Sequence, residues 1–194
     1  MIEAKHNITT KGSSTRNRIV EQARKLLIEK GYEAFVMREL ADTLGIKLGN
    51  LQYYFKTKEV LILEIFNLEA MQDVLTIQGH QQKRDTATEA FSAIVQDLVA
   101  RWRGSSGVLF SILGTLALHN TAYKQLYRTV YQDFYLALED CLGEMNPDIS
   151  QDEVQLRVRL ITALIDGSPM QTRIGKLQDY LDRVQAQAEL IALA

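Results

Sequence analysis

The sequence predicts an all-α protein: an N-terminal three-helix domain with a helix-turn-helix, joined by a long helix to a C-terminal helical bundle. Three observations carry this. Only two prolines interrupt 194 residues. Apolar residues recur at helical spacing along most segments, and few runs alternate as strands do. Cap residues and glycines divide those segments at helix-length intervals.

Residues 1–14 are polar and carry Lys5, His6 and Lys11. They read as a flexible, solvated arm; an arm draped along DNA is the alternative. Ser14 or Thr15 caps the first helix. Ile19, Ala23, Leu26 and Leu27 form its apolar stripe, and Gly31 stops it. Arg16 and Arg18, near its start, are either solvated or backbone contacts.

Two short helices follow, 37–44 and 48–54. Leu40, Ala41 and Leu44 define the first. Gly45 stands where a helix end favours positive φ, and Ile46 anchors the turn. Helix, glycine turn and second helix make a helix-turn-helix signature, whose second helix enters the DNA major groove. Leu51 and Phe55, one turn apart, bury one face of it. The other face offers Lys47, Leu48, Gly49, Asn50, Gln52, Tyr53 and Tyr54. Asn50 and Gln52 each hold a donor and an acceptor, which suits a base edge. Lys47 suits guanine or phosphate. Gly49 lets the backbone approach closely. Tyr53 and Tyr54 have hydroxyls for phosphates and rings for sugars, although one of the two can pack inward. Thr57 caps the next helix, and Lys58 adds a cation to its N-terminus, a phosphate-binding arrangement. Arg38 opens the first short helix and serves either a phosphate or a salt bridge.

A long helix covers about 60–79, with Leu61, Ile65, Leu68, Met71 and Leu75 assigned to one side. Twenty residues at about 1.5 Å each make a connector of roughly 30 Å. Polar residues 78–84 read as a break, with His80 solvated. Thr86 and Glu89 form a capping box before Ala90, Phe91, Ile94, Leu98 and Trp102, with a stop at 104–107. A short apolar helix, 108–118, contains Gly114, which permits close packing or leaves room for a ligand. Asn120 or Thr121 caps a helix striped with Tyr123, Leu126, Tyr127, Val130, Tyr131, Phe134 and Leu138. Buried tyrosine hydroxyls need partners. Trp102, Phe110, His119, Tyr123, Tyr127 and Tyr131 are therefore the candidate small-molecule pocket, with core packing the plainer reading of each.

Pro147 breaks the chain, and Ser150 and Glu153 form a second capping box. The helix after it is apolar on several sides, as one buried on two sides would be. Residues 167–169 bend or end it. The last helix spaces Leu177, Leu181, Val184, Ala188 and Ile191 in a coiled-coil-like way. Val158, Ile161, Ile165, Leu177, Leu181 and Val184 are the candidate interface with a second copy, a four-helix contact; intrachain packing is the alternative.

Composition narrows the function. Residues 1–60 hold 11 Lys and Arg against 7 Asp and Glu, and the rest holds 11 against 17. A basic front and an acidic remainder suit a nucleic-acid-binding domain followed by one that does not bind it. The single Cys141 excludes an internal disulfide and fits a reducing cytoplasm. No apolar run reaches the ~20 residues of a membrane span, and no signal-peptide core precedes the first helix. His6, His80 and His119 are isolated. There is no metal-ligand spacing, phosphate loop or paired nucleophile and base, so neither an enzyme nor a cofactor is expected.

Residues 14–63 resemble the DNA-binding domain of TetR-type (tetracycline-repressor-like) transcriptional regulators. The resemblance runs through Ile19, Ala23, Leu27 and Gly31-Tyr32. It continues through Arg38-Glu39-Leu40-Ala41, Leu44-Gly45-Ile46, Gly49-Asn50-Leu51, Tyr53-Tyr54-Phe55, Thr57-Lys58-Glu59 and Leu61. It implies a flexible arm at 1–14, a helix-turn-helix domain at 15–60 and a helical regulatory and dimerisation domain at 61–194. It also implies a homodimeric repressor on a palindromic double-stranded operator, responsive to a small-molecule effector, with Lys58 on a phosphate. One departure is Gln52, where the family often carries a tyrosine. A helical protein-interaction module without specific DNA binding is the alternative.

Overall fold

The computed structural model describes residues 10–83, 86–174 and 179–194, apart from the side chains of 10–13 and 173. Lys5, His6 and Leu177 lie outside the described residues. Among these the chain forms helices only: α1 Thr10–Ala34, α2 Met37–Thr43, α3 Leu48–Tyr54, α4 Lys58–Gln81, α5 Ala87–Arg103, α6 Ser105–Ala117, α7 Thr121–Met145, α8 Gln151–Ile174 and α9 Tyr180–Leu193. The chain divides into two compact units, Met1–Phe66 and Asn67–Ala194.

The first unit closes around Ile19, Ala23 and Leu27 of α1, Leu40 and Ala41 of α2, Leu51 and Phe55 at α3, and Leu61, Ile62 and Ile65 of α4, all buried. α1 starts at Thr10, earlier than the cap expected at Ser14 or Thr15. Gly31, at φ 75°, breaks its helical path where the sequence places a stop. Gly45, at φ 67°, makes the turn after α2, and its N–H bonds the Asp42 carbonyl at 3.0 Å. Arg16 is engaged inside the unit: it pairs with Glu64 at 2.6 Å and lies over the Phe55 ring at 5.1 Å. Neither of its two readings, solvated charge or backbone contact, includes this internal engagement.

In the second unit α5 packs against α6, α7, α8 and α9. It buries Ala90, Phe91, Ile94, Val95, Leu98, Val99 and Trp102. The expected caps form. Glu89 N–H donates to Thr86 Oγ1 at 3.2 Å. Asn120 Oδ1 accepts from Ala122 and Tyr123, and Glu153 N–H donates to Ser150 Oγ at 3.2 Å.

Several expectations are corrected. α4 does not bury Leu68, Met71 and Leu75, which are exposed. Its buried line is Ile65, Glu69, Asp73 and Ile77, four residues apart, because polar partners await the two acids. α4 continues through His80, whose Nε2 meets Asp97 Oδ2 at 2.7 Å. α6 begins at Ser105, and Gly107 lies inside it. A Cβ on Gly107 would stand 2.1 Å from the Trp102 carbonyl oxygen and 2.8 Å from the Pro169 ring. This glycine is therefore a site of close approach and not a stop. α8 continues through Pro169 to Ile174. A proline cannot bond the carbonyl four residues back, here that of Ile165. Ser168 Oγ donates to that carbonyl at 2.9 Å instead, so the helix survives.

The assigned dimer residues are also corrected. Val158, Ile161 and Ile165 are fully buried and Val184 nearly so, all within one chain; Leu181 is half-buried. They are core because α8 and α9 must each cover α5. The apolar surplus lies elsewhere, at exposed Leu156, Leu160, Met170 and Ile174 of α8 and Leu190 and Leu193 of α9.

Candidate nucleic-acid interface and ligand cavity

α3 is short because Lys47 enters it in extended geometry and Phe55 leaves it so. Leu51 and Phe55 fasten it from beneath at 0% and 2% exposure. Its outer face is open: Lys47, Gly49, Asn50 and Gln52 are exposed, and Leu48 and Tyr54 half-buried. Tyr53 is 78% exposed and meets Tyr54 edge-on, centroids 5.3 Å apart. Such a face suits base edges through the two amides and phosphates through the phenols and Lys47. Arg38 is exposed at the start of α2.

Lys58 is placed differently from the others. Its ammonium donates to the Tyr32 carbonyl and lies 4.0 Å from the Tyr32 ring centroid. Burial holds its pKa below the usual lysine value, opposed by Glu33. Thr57 caps α4 as expected, accepting from Val60 N–H at 3.2 Å.

The second unit holds two neighbouring spaces. Trp102, Phe110 and Tyr131 line an inner cavity with Ala70, Asp73, Val130 and Phe134; its volume of about 10 Å³ is what one water needs. Tyr127, Tyr131 and Tyr135 line an open groove of about 480 Å³ with Arg128, Leu136, Gln155 and Arg159. That volume is in the range of small-molecule sites. Tyr131 belongs to both. Trp102 stacks on Phe110 at 4.6 Å and 5°, and Tyr127 lies 4.5 Å from Tyr131. Two of the predicted pocket residues stand apart. His119 is exposed at the α6–α7 turn, because its backbone N–H closes that turn onto Leu116. Tyr123 is fully buried core and lines neither space.

Sequence reasoning missed the acids. Asp73 accepts from Arg101 Nε at 2.7 Å and from Trp102 Nε1 at 3.2 Å. Burial pushes its pKa up more than Arg101 pulls it down. Glu69 accepts from Ser106 Oγ and, at 3.5 Å, from Arg101. Tyr131 donates to Asp166 Oδ2 at 2.7 Å. Burial and the nearby negative charge of Asp166 raise the Tyr131 pKa and keep it a phenol. The available signal was spacing: Glu69 and Asp73 continue the Ile65–Ile77 line.

α2, the Gly45 turn and α3, with its open face and buried underside, make a helix-turn-helix, and a helical unit follows it. Residues 19–65 match the model of the bacterial regulatory proteins, tetR family. The match covers the first helices of the chain, from Ile19 to Ile65. The HTH-type transcriptional regulator QacR of Staphylococcus aureus is 43% identical over 54 residues, 28% of this chain and 29% of that one. The HTH-type transcriptional repressor KstR2 of Mycolicibacterium smegmatis is 34% identical over 76 residues, 39% of this chain and 36% of that one. The chain thus matches about a third of the length of these relatives. A TetR transcription regulator from Haloarcula marismortui shares the fold, with a TM-score of 0.80 at 16% identity over 93% of this chain and 97% of that one. No described helix is long and apolar enough to cross a membrane.

Proposed function

We propose that the protein is a homodimeric, ligand-responsive transcriptional repressor. The carrying observation is α3, fastened by Leu51 and Phe55 and presenting Gly49, Asn50, Gln52 and Tyr53 outward. Asn50, Gln52 and Lys47 read bases; Tyr53, Tyr54 and Arg38 grip the backbone, and Leu48 packs against sugar or thymine methyls. A two-fold dimer asks for a palindromic operator with half-sites roughly 34–36 Å apart, or a multiple.

The second copy docks on the exposed leucines of α8 and α9. Arg157 Nη1 donates to the Ala192 carbonyl at 3.3 Å. That bond joins the start of α8 to the end of α9, the two places where Leu156, Leu160, Leu190 and Leu193 are exposed.

The effector enters by the tyrosine groove. Trp102 lines the inner cavity and bonds Asp73 of α4, so a ligand that displaces it acts on α4. A ligand favouring the DNA-incompetent arrangement releases DNA by population shift.

The test is fluorescence anisotropy with DNA from upstream of the protein's own gene, across a salt series and against scrambled DNA. Tight, sequence-dependent binding that weakens steeply with salt supports the reading. Equal weak binding to both DNAs, repeated with sequences chosen by genome-wide selection, favours the interaction-module alternative.

A further inference from the structure

We propose that the effector is an organic cation, held beside Tyr131, which lines both the groove and the inner cavity, and neutralised by Asp166, which lines neither space and meets the site through its bond to the Tyr131 hydroxyl. This rests on the small-molecule reading above and names the chemistry of that same site.

Charge is the first argument. Glu69 and Asp73 are 7% and 1% exposed, and one guanidinium, that of Arg101, bonds both. Asp166 receives the neutral Tyr131 phenol, and among the described residues it has no ion pair. Its Oδ1 is buried without a hydrogen-bond partner. A buried carboxylate oxygen in that state calls for a proton or a positively charged donor. Burial and the charge of Asp73 push the Asp166 carboxyl up to about 7, against the pull of Tyr131. The site is short of positive charge.

The walls say which cation. Tyr127, Tyr131 and Tyr135 line the groove, and aromatic rings attract organic ammonium groups. Among the described residues no group of three or more His, Cys, Asp or Glu could hold a metal ion. The inner cavity takes little more than a water, so the bulk of the ligand stays in the groove and only its charged end reaches Tyr131. Arg128 and Arg159 are exposed on the groove side, and Glu139, which accepts from Gln151 Nε2 at 3.1 Å, lines it with them. The two arginines orient the ligand with its positive end inward and a neutral or anionic end outward.

The experiment titrates the full chain by calorimetry with four ligands of one skeleton: 4-phenylbutylamine, its trimethylammonium derivative, 4-phenylbutanol and 4-phenylbutyrate. The expected result is binding of at least one cation, about tenfold or more tighter than the alcohol and the acid. Asp166→Asn should remove that preference and leave the alcohol unaffected. Tyr131→Phe, which keeps the ring and deletes the bond to Asp166, serves if Asp166→Asn does not fold, and it should alter cation affinity alone. Butyrate binding as well as the amines, cation affinity indifferent to both variants, or no binding by any of the four overturns the proposal. A thermal-shift screen of neutral and anionic amphiphiles then separates the two readings. A hit there retains a small-molecule effector of another charge; no hit removes the effector reading too.

Discussion

The Lys58 ammonium is shared between two parts of one residue, the carbonyl and the ring of Tyr32. Tyr32 directly follows Gly31, where α1 loses its helical path, so the first residue of α4 fastens the end of α1. Lys58→Met should lower stability by about 1.5–3 kcal/mol, the worth of a hydrogen bond to a charged group. DNA affinity should fall with it. Chemical denaturation beside anisotropy checks this; lost affinity at unchanged stability would instead assign Lys58 to a phosphate.

Gln52 and Asn50 should behave oppositely to Lys58. Both are exposed, so alanine at either should leave the melting temperature within error. Operator affinity should fall by about 1–3 kcal/mol and discrimination against altered base pairs should relax. Anisotropy with single-base operator variants reads both effects. A uniform loss across all sequences would make these amides backbone contacts.

Ser168→Ala should cost about 1–3 kcal/mol, because it leaves the Ile165 carbonyl buried and unpaired beside Pro169. Adding Pro169→Ala should restore much of the loss by returning the N–H that this carbonyl lacks. Urea melts of the single and double variants decide it, and additive losses would refute the compensation.

Asp166 makes stability depend on pH. Its folded pKa of about 7 lies above the ordinary carboxylate value of 3.8, so between those values the folded chain holds the extra proton. The stabilising contribution is complete below pH 3.8 and is lost as pH rises through about 7. The slope is at most about 1.4 kcal/mol per pH unit. Asp73, Tyr131 and Tyr135 act on this group electrostatically and stay unchanged in Asp166→Asn, which should flatten the decline between pH 4 and 7. Parallel profiles for the two proteins would place the proton elsewhere.

Leu160→Asp should convert a dimer to monomers in sedimentation without lowering monomer stability, since Leu160 is exposed. Ile161→Ala, one residue on and fully buried, should cost about 2–5 kcal/mol through a core cavity. A dimer indifferent to Leu160→Asp would move the interface off this face.

What was legible followed from local rules. α3 spans Leu48–Tyr54, as the spacing of Leu51 and Phe55 predicts. The caps at Thr57, Thr86, Asn120 and Ser150 form because each needs only its own next three residues. Longer-range matters were not legible. Pro169 reads as a stop until Ser168 is seen bonding Ile165. Gly107 reads as a stop until Pro169 is seen against it. Val158, Ile161 and Ile165 are apolar enough for either an interior or an interface, and only the position of α5 decides. His119 is near Tyr123 in sequence yet on the surface, because the α6–α7 turn carries it outward. Among the site residues, Trp102, Phe110, Tyr127 and Tyr131 do gather around the two spaces, while Asp73 and Asp166 escaped notice because an acid within an apolar stripe reads as an exception.

Glu69 and Asp73 are four residues apart on α4, and Arg101 already touches both. A slide of α4 by one turn, about 5.4 Å, would bring Glu69 to the seat Asp73 now holds, with the guanidinium still occupied. Intermediate slides would leave Arg101 facing neither carboxylate squarely. Arg101 therefore pins α4 at two points one turn apart, and a slide of the helix along its axis would break at least one of those bonds.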